Sequence, residues 1–476
     1  MANELSPNLA ATSPLQESLT EPQPISQFAQ VAARFGMDAD EISRYLKPGE
    51  QLTGFGTGGS ESLVMFLDTP AYGAVVRKVC SEGLSAVGWD PNGAGVMTPP
   101  SSKGGLQVDY LKGLPESVAP YFPRVYSAEI TEEIDAGGRA TRKLIYDQSM
   151  LRGIEISSFV ADAQPSPTVV AHLHRQVMSL LSERIHNERR TLNTEDTIGE
   201  SYLDKITARL ELSRNAAPET FGSLLDSDSL IINGRTYPNI GELQAFFSRP
   251  EIREMLEPRY HSLVMGDTNT ENVMITNPEP LLEAMKQPGK PDFTYDDLGL
   301  RFLDPRAIGF RSSGASTIDD PMYDNKPVHN SIGNYDVMHG EHFYLDVNTS
   351  GNVSRITIDN HDNNPYTKSY HEMGSRFKYV MEGWDVSSEE FQADDPNWLL
   401  RFTFMMGSHF AAMPPFHFKR NDEGLVPEDP EVQKRAIAIF SEGIKWLTAA
   451  REMITGKRKS LFGVELADIQ PSNRSN

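Results

Sequence analysis

The sequence predicts an α+β chain in two lobes, a small β-rich one followed by a larger, mainly helical one. Three observations carry that prediction. Short apolar runs of strand length, parted by Gly-, Pro- and Asp-containing turns, recur up to residue 149. From Pro167 onward apolar residues recur at helical spacing, as across Val169–Leu181. With 476 residues and 38% hydrophobic content, the chain is long enough for more than one core.

Composition narrows the partners. Lys+Arg number 44 against 66 Asp+Glu, a net charge of −22. So acidic a surface argues against nucleic acid or an anionic membrane, both of which reward Lys and Arg. It suits a soluble acidic enzyme, or one with a cationic small-molecule substrate. The single cysteine, Cys80, excludes an intramolecular disulfide and Cys-rich zinc sites. No apolar run approaches the ~20 residues that span a bilayer, and the first residues lack the order of a signal peptide. A cytoplasmic enzyme is the expectation; its oligomeric state is not encoded legibly.

Residues 1–24, rich in Ser, Pro, Thr, Asn and Glu, read as a disordered tail. Phe28, Val31, Phe35, Ile42 and Leu46 suit one or two short helices opening a small lobe over 25–149. Next, Gly54, Gly56, Gly58 and Gly59, followed by Ser60, lie between two strand-like runs. Such a hairpin is either a flexible β-turn or a loop whose backbone N–H groups cover phosphate oxygens. A strand over Ala74–Val79 carries Lys78 near its end, with Arg77 on the opposite face by alternation. A loop over 81–105, a short helix over Leu106–Gly113 and strands at Phe122–Tyr126 and Lys143–Tyr146 complete this part.

The second lobe is expected over 150–460, with a flexible tail over 461–476. It begins with helix from Pro167 to about Ser213, then a hairpin turning at Asn233-Gly234. His172, His174 and His186 have no companions at metal-ligand spacing and read as core or surface residues. Phe402–Phe416 and Glu431–Ile454 read as closing helices. Asp319, Asp320, Asp324, Asp336 and Glu341 suit either a cation site or an exposed acidic face.

The chemistry concentrates in two places. An apolar run, Leu263–Met265, delivers Asp267 into a polar loop, and Asn272 follows it by five residues. Downstream, Asp304 leaves the short apolar run Phe302-Leu303. One carboxylate to receive a proton, with an amide and a second carboxylate to hold Mg²⁺, is what phosphoryl transfer from ATP requires.

With the glycine hairpin and Lys78 upstream, this pattern resembles the aminoglycoside phosphotransferase-like branch of the protein-kinase-like fold. Asp304-Pro305-Arg306, followed by Tyr323-Asp324 and Lys326 to Ser331, is similar to a subset associated with sugar and capsule metabolism. The resemblance implies ATP and Mg²⁺ as cofactors, with Asp267 as catalytic base and Asn272 and Asp304 as metal ligands. It implies that Gly54, Gly56, Gly58, Gly59, Ser60 and Lys78 bind the nucleotide's phosphates, with Asp109 as the partner of Lys78 and Gln107 as the alternative. It places the adenine-binding hinge at Asp147–Gly153, including Ser149. The sequence departs from the pattern at Met265, where the family usually has His, and at Ala307, where it has Gly. The implied activity is phosphoryl transfer to a small-molecule hydroxyl. A nucleotide-binding scaffold, or transfer of an adenylyl group on the same fold, is the alternative.

Overall fold

A computed structural model describes residues 42–56, 62–82, 103–134, 140–287, 289–308, 316–421 and 424–469. The expected tail over 1–24, the helices over 25–41, and Gly58, Gly59 and Ser60 lie outside these residues. The architecture is mixed α and β, with several small sheets and many helices. The chain divides into two compact units, one drawn from 1–88 and 123–154, the other from 89–122 and 155–476.

In the first unit the strand-like runs form one antiparallel sheet. Strands β1 (Gln51–Phe55), β2 (Ser62–Thr69), β3 (Gly73–Glu82), β4 (Val125–Ile134) and β5 (Ala140–Ser149) lie in the order β1-β2-β3-β5-β4. Leu63, Met65, Leu67, Val75, Val79 and Ile145 share one buried face, as strand alternation dictates, and Ile42, Tyr45 and Phe55 close over them.

The second unit opens with α1 (Lys103–Lys112), which buries Val108, Tyr110 and Leu111. Helices α2 (Pro167–Leu180) and α3 (Asp204–Ala216) follow. Strands β6 (Ser229–Ile232) and β7 (Arg235–Pro238) meet at Asn233 (φ 49°) and Gly234 (φ 80°). Two left-handed residues in succession match the turn that Asn-Gly favours in a tight hairpin. After β8 (Tyr260–Leu263), strands β9 (Val273–Ile275) and β10 (Leu300–Phe302) form a short antiparallel pair. The short helix α4 (Lys326–Ser331) follows, then the long hairpin of β11 (Phe343–Ser350) and β12 (Val353–Asn360), which joins β6 by parallel pairing.

Two long helices close the unit. Every residue of α5 (Trp398–Ala411) is buried, Arg401 through its pair with Asp320, and α6 (Lys434–Ile454) packs along it. Residues 461–465, placed in the tail on sequence grounds, belong to a small hairpin over 460–465 whose Phe462 contacts Phe377 and Trp446. Among the described residues no helix is long and apolar enough to cross a membrane.

Candidate active site

Strand β8 carries the chain through buried Val264 and Met265 to Gly266. Gly266 has φ +79°, and a Cβ there would lie 2.0 Å from the carbonyl oxygen of Arg306. Any side chain would push the two segments apart, so glycine is required by both backbone angle and space. The same approach is fixed by a hydrogen bond from Arg306 N–H to the Met265 carbonyl, 2.8 Å. The segment after β10 is thereby held against the loop after β8.

Asp324 anchors that loop from beneath. Its carboxylate accepts from the N–H groups of Met265 and Gly266, 2.8 Å each, and its carbonyl from the Thr268 hydroxyl, 2.9 Å. His186 Nε2 lies 3.1 Å from the same carboxylate, and Asp324 is fully buried. A buried carboxylate taking two backbone N–H bonds is a strong, directional tie. Helix α1 adds two more: the Tyr110 hydroxyl donates to Val264 O (2.9 Å) and Gln107 Nε2 to Pro305 O (3.2 Å).

Asp267 sits at the centre of the loop, 3% exposed. Its Oδ1 accepts from Lys326 Nζ at 2.5 Å and from Asn269 Nδ2 at 3.0 Å, and Arg306 Nε stands 3.0 Å from its Oδ2. The Met265 thioether, fully buried, takes the Asp267 N–H at 3.1 Å. Asn272 donates its Nδ2 to the Asp267 carbonyl, 3.0 Å, which fixes the amide and turns its Oδ1 the other way. The β9–β10 pairing, with Val273 opposite Phe302, continues as Leu303 N–H to Asn272 O, 2.7 Å. Asn272 and Asp304 therefore leave neighbouring ends of one hairpin.

Asp304 has φ 45°, a conformation costly for a side-chain-bearing residue and frequent at functional positions. The donor set offered by Asn272 and Asp304 is oxygen only. Among the described residues no group of three or more His, Cys, Asp or Glu is arranged for a metal. Two protein oxygens, with the remaining positions left to phosphate and water, fit Mg²⁺ better than a metal that wants a full protein cage. Glu271, beside them, is solvent-accessible yet walled by protein; desolvation, then Asp267, Asp336 and Glu155, push its carboxyl up to about 7.

The remaining predicted residues lie as follows. In the first unit, Gly56 donates its N–H to Val64 O at 3.0 Å, and a Cβ on it would meet Val64 Cγ1 at 2.7 Å. Val64 is the register partner of Lys78, so the hairpin begun by Gly54 and Gly56 folds onto the sheet face that carries Lys78. Lys78 is buried, 6.0 Å from the centre of the Tyr146 ring. Asp147 and Ser149 are the last residues of β5. The Asp147 carboxylate is committed to Arg77, and the Ser149 hydroxyl accepts from Arg124 N–H at 3.0 Å. Asp109, in the second unit, is solvent-exposed on α1.

The acids left open between a cation site and a solvated face are neither. Asp320 pairs with Arg401 at 2.5 Å and accepts from the Tyr202 hydroxyl at 3.0 Å; Asp336 accepts from Asn330 and Tyr370. Glu341 pairs with Lys419 and Arg435. Lys326, Arg306 and Asp324 are the participants that residue-by-residue reading missed. The one signal for them was the segment from Asp304 to Ser331, whose roles spacing alone does not reveal.

No family model matches the chain, and no curated protein does. A solved structure from Ralstonia eutropha JMP134, described provisionally as an aminoglycoside phosphotransferase, aligns over 88% of this chain and 98% of its own. The TM-score is 0.39 and the identity 11%, a likeness too slight to assign a function.

Proposed function

We propose that the protein has the protein-kinase-like fold and is an ATP-dependent phosphotransferase acting on the hydroxyl of a small molecule. One observation carries the reading: Asn272 Nδ2 is bonded to Asp267 O, and Leu303 N to Asn272 O, so that the residue before Asp304 is held against the loop that carries Asp267 and Asn272. This supports a reading in which a proton acceptor stands beside a pair of oxygen ligands, the minimum that phosphoryl transfer needs.

In this reading Asp267 orients the acceptor hydroxyl and receives its proton as the oxygen bonds to the γ-phosphorus. The bond from phosphorus to the β–γ bridging oxygen breaks and ADP leaves. Lys326 and Arg306 flank Asp267, so its charge is balanced before the proton arrives; orientation of the hydroxyl is then its larger contribution. Mg²⁺ held by Asn272 and Asp304 would neutralise phosphate charge. Gly54, Gly56 and Lys78 would serve the nucleotide's phosphates, with Gly58, Gly59 and Ser60 completing the hairpin, and the chain after Ser149 the adenine.

Product mass tests the reading. ATP, Mg²⁺ and an accepted alcohol should give a product about 80 Da heavier, where adenylylation gives about 329 Da and a scaffold gives none (the masses of the transferred groups). Asp267→Asn should lower turnover by about 10²–10⁴-fold with nucleotide binding retained. Turnover of the variant at the wild-type rate would remove Asp267 from the chemistry.

A further inference from the structure

Helix α3 presents Lys205 and Arg209 one turn apart, on the same face. Lys205 is 4% exposed. Its ammonium donates to the Tyr323 hydroxyl and stands 4.3 Å from the centre of that ring. Lys326 approaches the same ring to 5.9 Å while paired with Asp267. The Arg209 guanidinium lies 4.7 Å over Phe416 and donates to the Ala412 carbonyl at 3.4 Å. It is near enough to Tyr323, Arg306 and Asp267 to feel the charge of each. The His409 ring, 3% exposed, lies 4.4 Å from Tyr323, and among the described residues neither of its nitrogens has a hydrogen-bond partner.

A buried ammonium beside two half-buried cations and a neutral phenol is costly unless an anion joins them. Among the described residues no carboxylate forms an ion pair with Lys205; Asp319 and Asp267 act on it only through space. Burial, then Arg209 and Lys326, hold its pKa well below the usual lysine value. Burial likewise pulls Arg209 down to about 10. An oxyanion is the ligand that this arrangement lacks. It would take charge-assisted hydrogen bonds from lysine and guanidinium donors and a further bond from an unpartnered imidazole.

We propose that this cluster binds the phosphate or carboxylate group of the phosphoryl acceptor, with Lys205, Arg209 and Lys326 as cationic donors and Tyr323 and His409 as neutral ones. Resting on the phosphotransferase reading, the acceptor is then an anionic alcohol, whose hydroxyl reaches Asp267 while its charged group sits on the far side of Lys326. That reverses the cationic substrate which the net charge of −22 invites: the global charge is carried elsewhere, and the cluster is locally basic.

The test is the thermal stability of the whole chain with inorganic phosphate, in wild type, Lys205→Met and Arg209→Gln, beside binding of a non-hydrolysable ATP analogue with Mg²⁺. Phosphate should raise the wild-type melting temperature, and each substitution should weaken phosphate binding about tenfold or more. Affinity for the analogue should stay within about threefold in both variants, because the cluster serves the acceptor. Lys205→Met replaces an ammonium by an apolar group of similar length, so cooperative unfolding is retained and loss of phosphate binding is not loss of fold. An equal phosphate response in all three proteins, or none in wild type, overturns the proposal. So does a parallel loss of analogue and phosphate binding, which would give the cations to the nucleotide. Phosphate binding lost in the variants, with no analogue binding in wild type, supports the oxyanion site while sinking the nucleotide reading.

Discussion

Each unit buries a cation and handles it differently: Arg77 in the first and Lys205 in the second. In the first, Arg77 is 1% exposed and every one of its donors is used. Nε and Nη2 meet Asp147 at 2.7 and 2.8 Å, Nη1 and Nη2 meet Glu50 at 2.6 and 2.8 Å, and Nη1 also reaches Tyr45 O at 2.5 Å. In the second, Lys205 has a phenol for a partner and other cations for neighbours. A guanidinium between two carboxylates is complete, and its role is to fix β3, β5 and the chain before β1 against one another. A buried ammonium without a carboxylate is incomplete. The difference teaches where to look for function: in a protein that can satisfy a buried charge this fully, the one left short marks a place built for something else.

The comparison breaks most easily at its satisfied end. Arg77→Met leaves Glu50 and Asp147 facing each other with no cation between them. Side-chain exposures of 7% and 6% give water little access to them. Removing one partner of a buried ion cluster costs about 3–5 kcal/mol. Chemical denaturation should show that loss in the transition that reports the first unit. A cost below about 1 kcal/mol would mean that the cluster is solvated like a surface pair.

A buried group that stays neutral sharpens the contrast. His174 is fully buried on α2, with Nδ1 3.3 Å from the Ser331 hydroxyl and Nε2 unpartnered, and burial lowers its pKa from 6.5 to about 3. The unfolded chain takes up the proton at the ordinary value, while the folded chain does not until near pH 3. Stability contributed by neutral His174 is therefore present above pH 6.5 and falls away as pH drops from about 6.5 towards about 3. Between pH 7 and pH 5 this residue alone should remove about 2 kcal/mol. Urea denaturation at the two pH values should show wild type losing about that much more than His174→Gln. Equal losses would mean that His174 opens to solvent.

Much of the frame was legible because its rules are local. Alternation exposed the strands around Lys78, Asn233-Gly234 announced its hairpin, and the run from Leu263 to Asn272 showed its carboxylate and amide at a spacing that the fold keeps. What escaped depends on partners far apart in the chain. Asp324 reads as one more acid, yet it lies 59 residues from the Met265 N–H it anchors. Asp320 and Arg401, 81 residues apart, bury each other's charge, and neither announces this alone. Helix α3 is polar enough to pass for a solvated surface helix, so the spacing of Lys205 and Arg209 carried no signal until the structure placed Tyr323 against it.

The smallest expected effect has the opposite sign, and for that reason separates the two kinds of buried charge most cleanly. Without ligand, Lys205→Met removes an ammonium from a site that burial and two neighbouring cations already make unfavourable. It forfeits one hydrogen bond to Tyr323, worth about 1 kcal/mol, and relieves a desolvation cost that is larger for a charge than for any neutral group. Replacing buried charge by apolar volume is commonly neutral to stabilising by about 1–4 kcal/mol, so a gain of about 1 kcal/mol in phosphate-free buffer is expected. Adding phosphate should erase or invert that gain, because only wild type gains from the ligand. A Lys205→Met protein destabilised with and without phosphate would show instead that Lys205, like Arg77, is part of what holds its unit together.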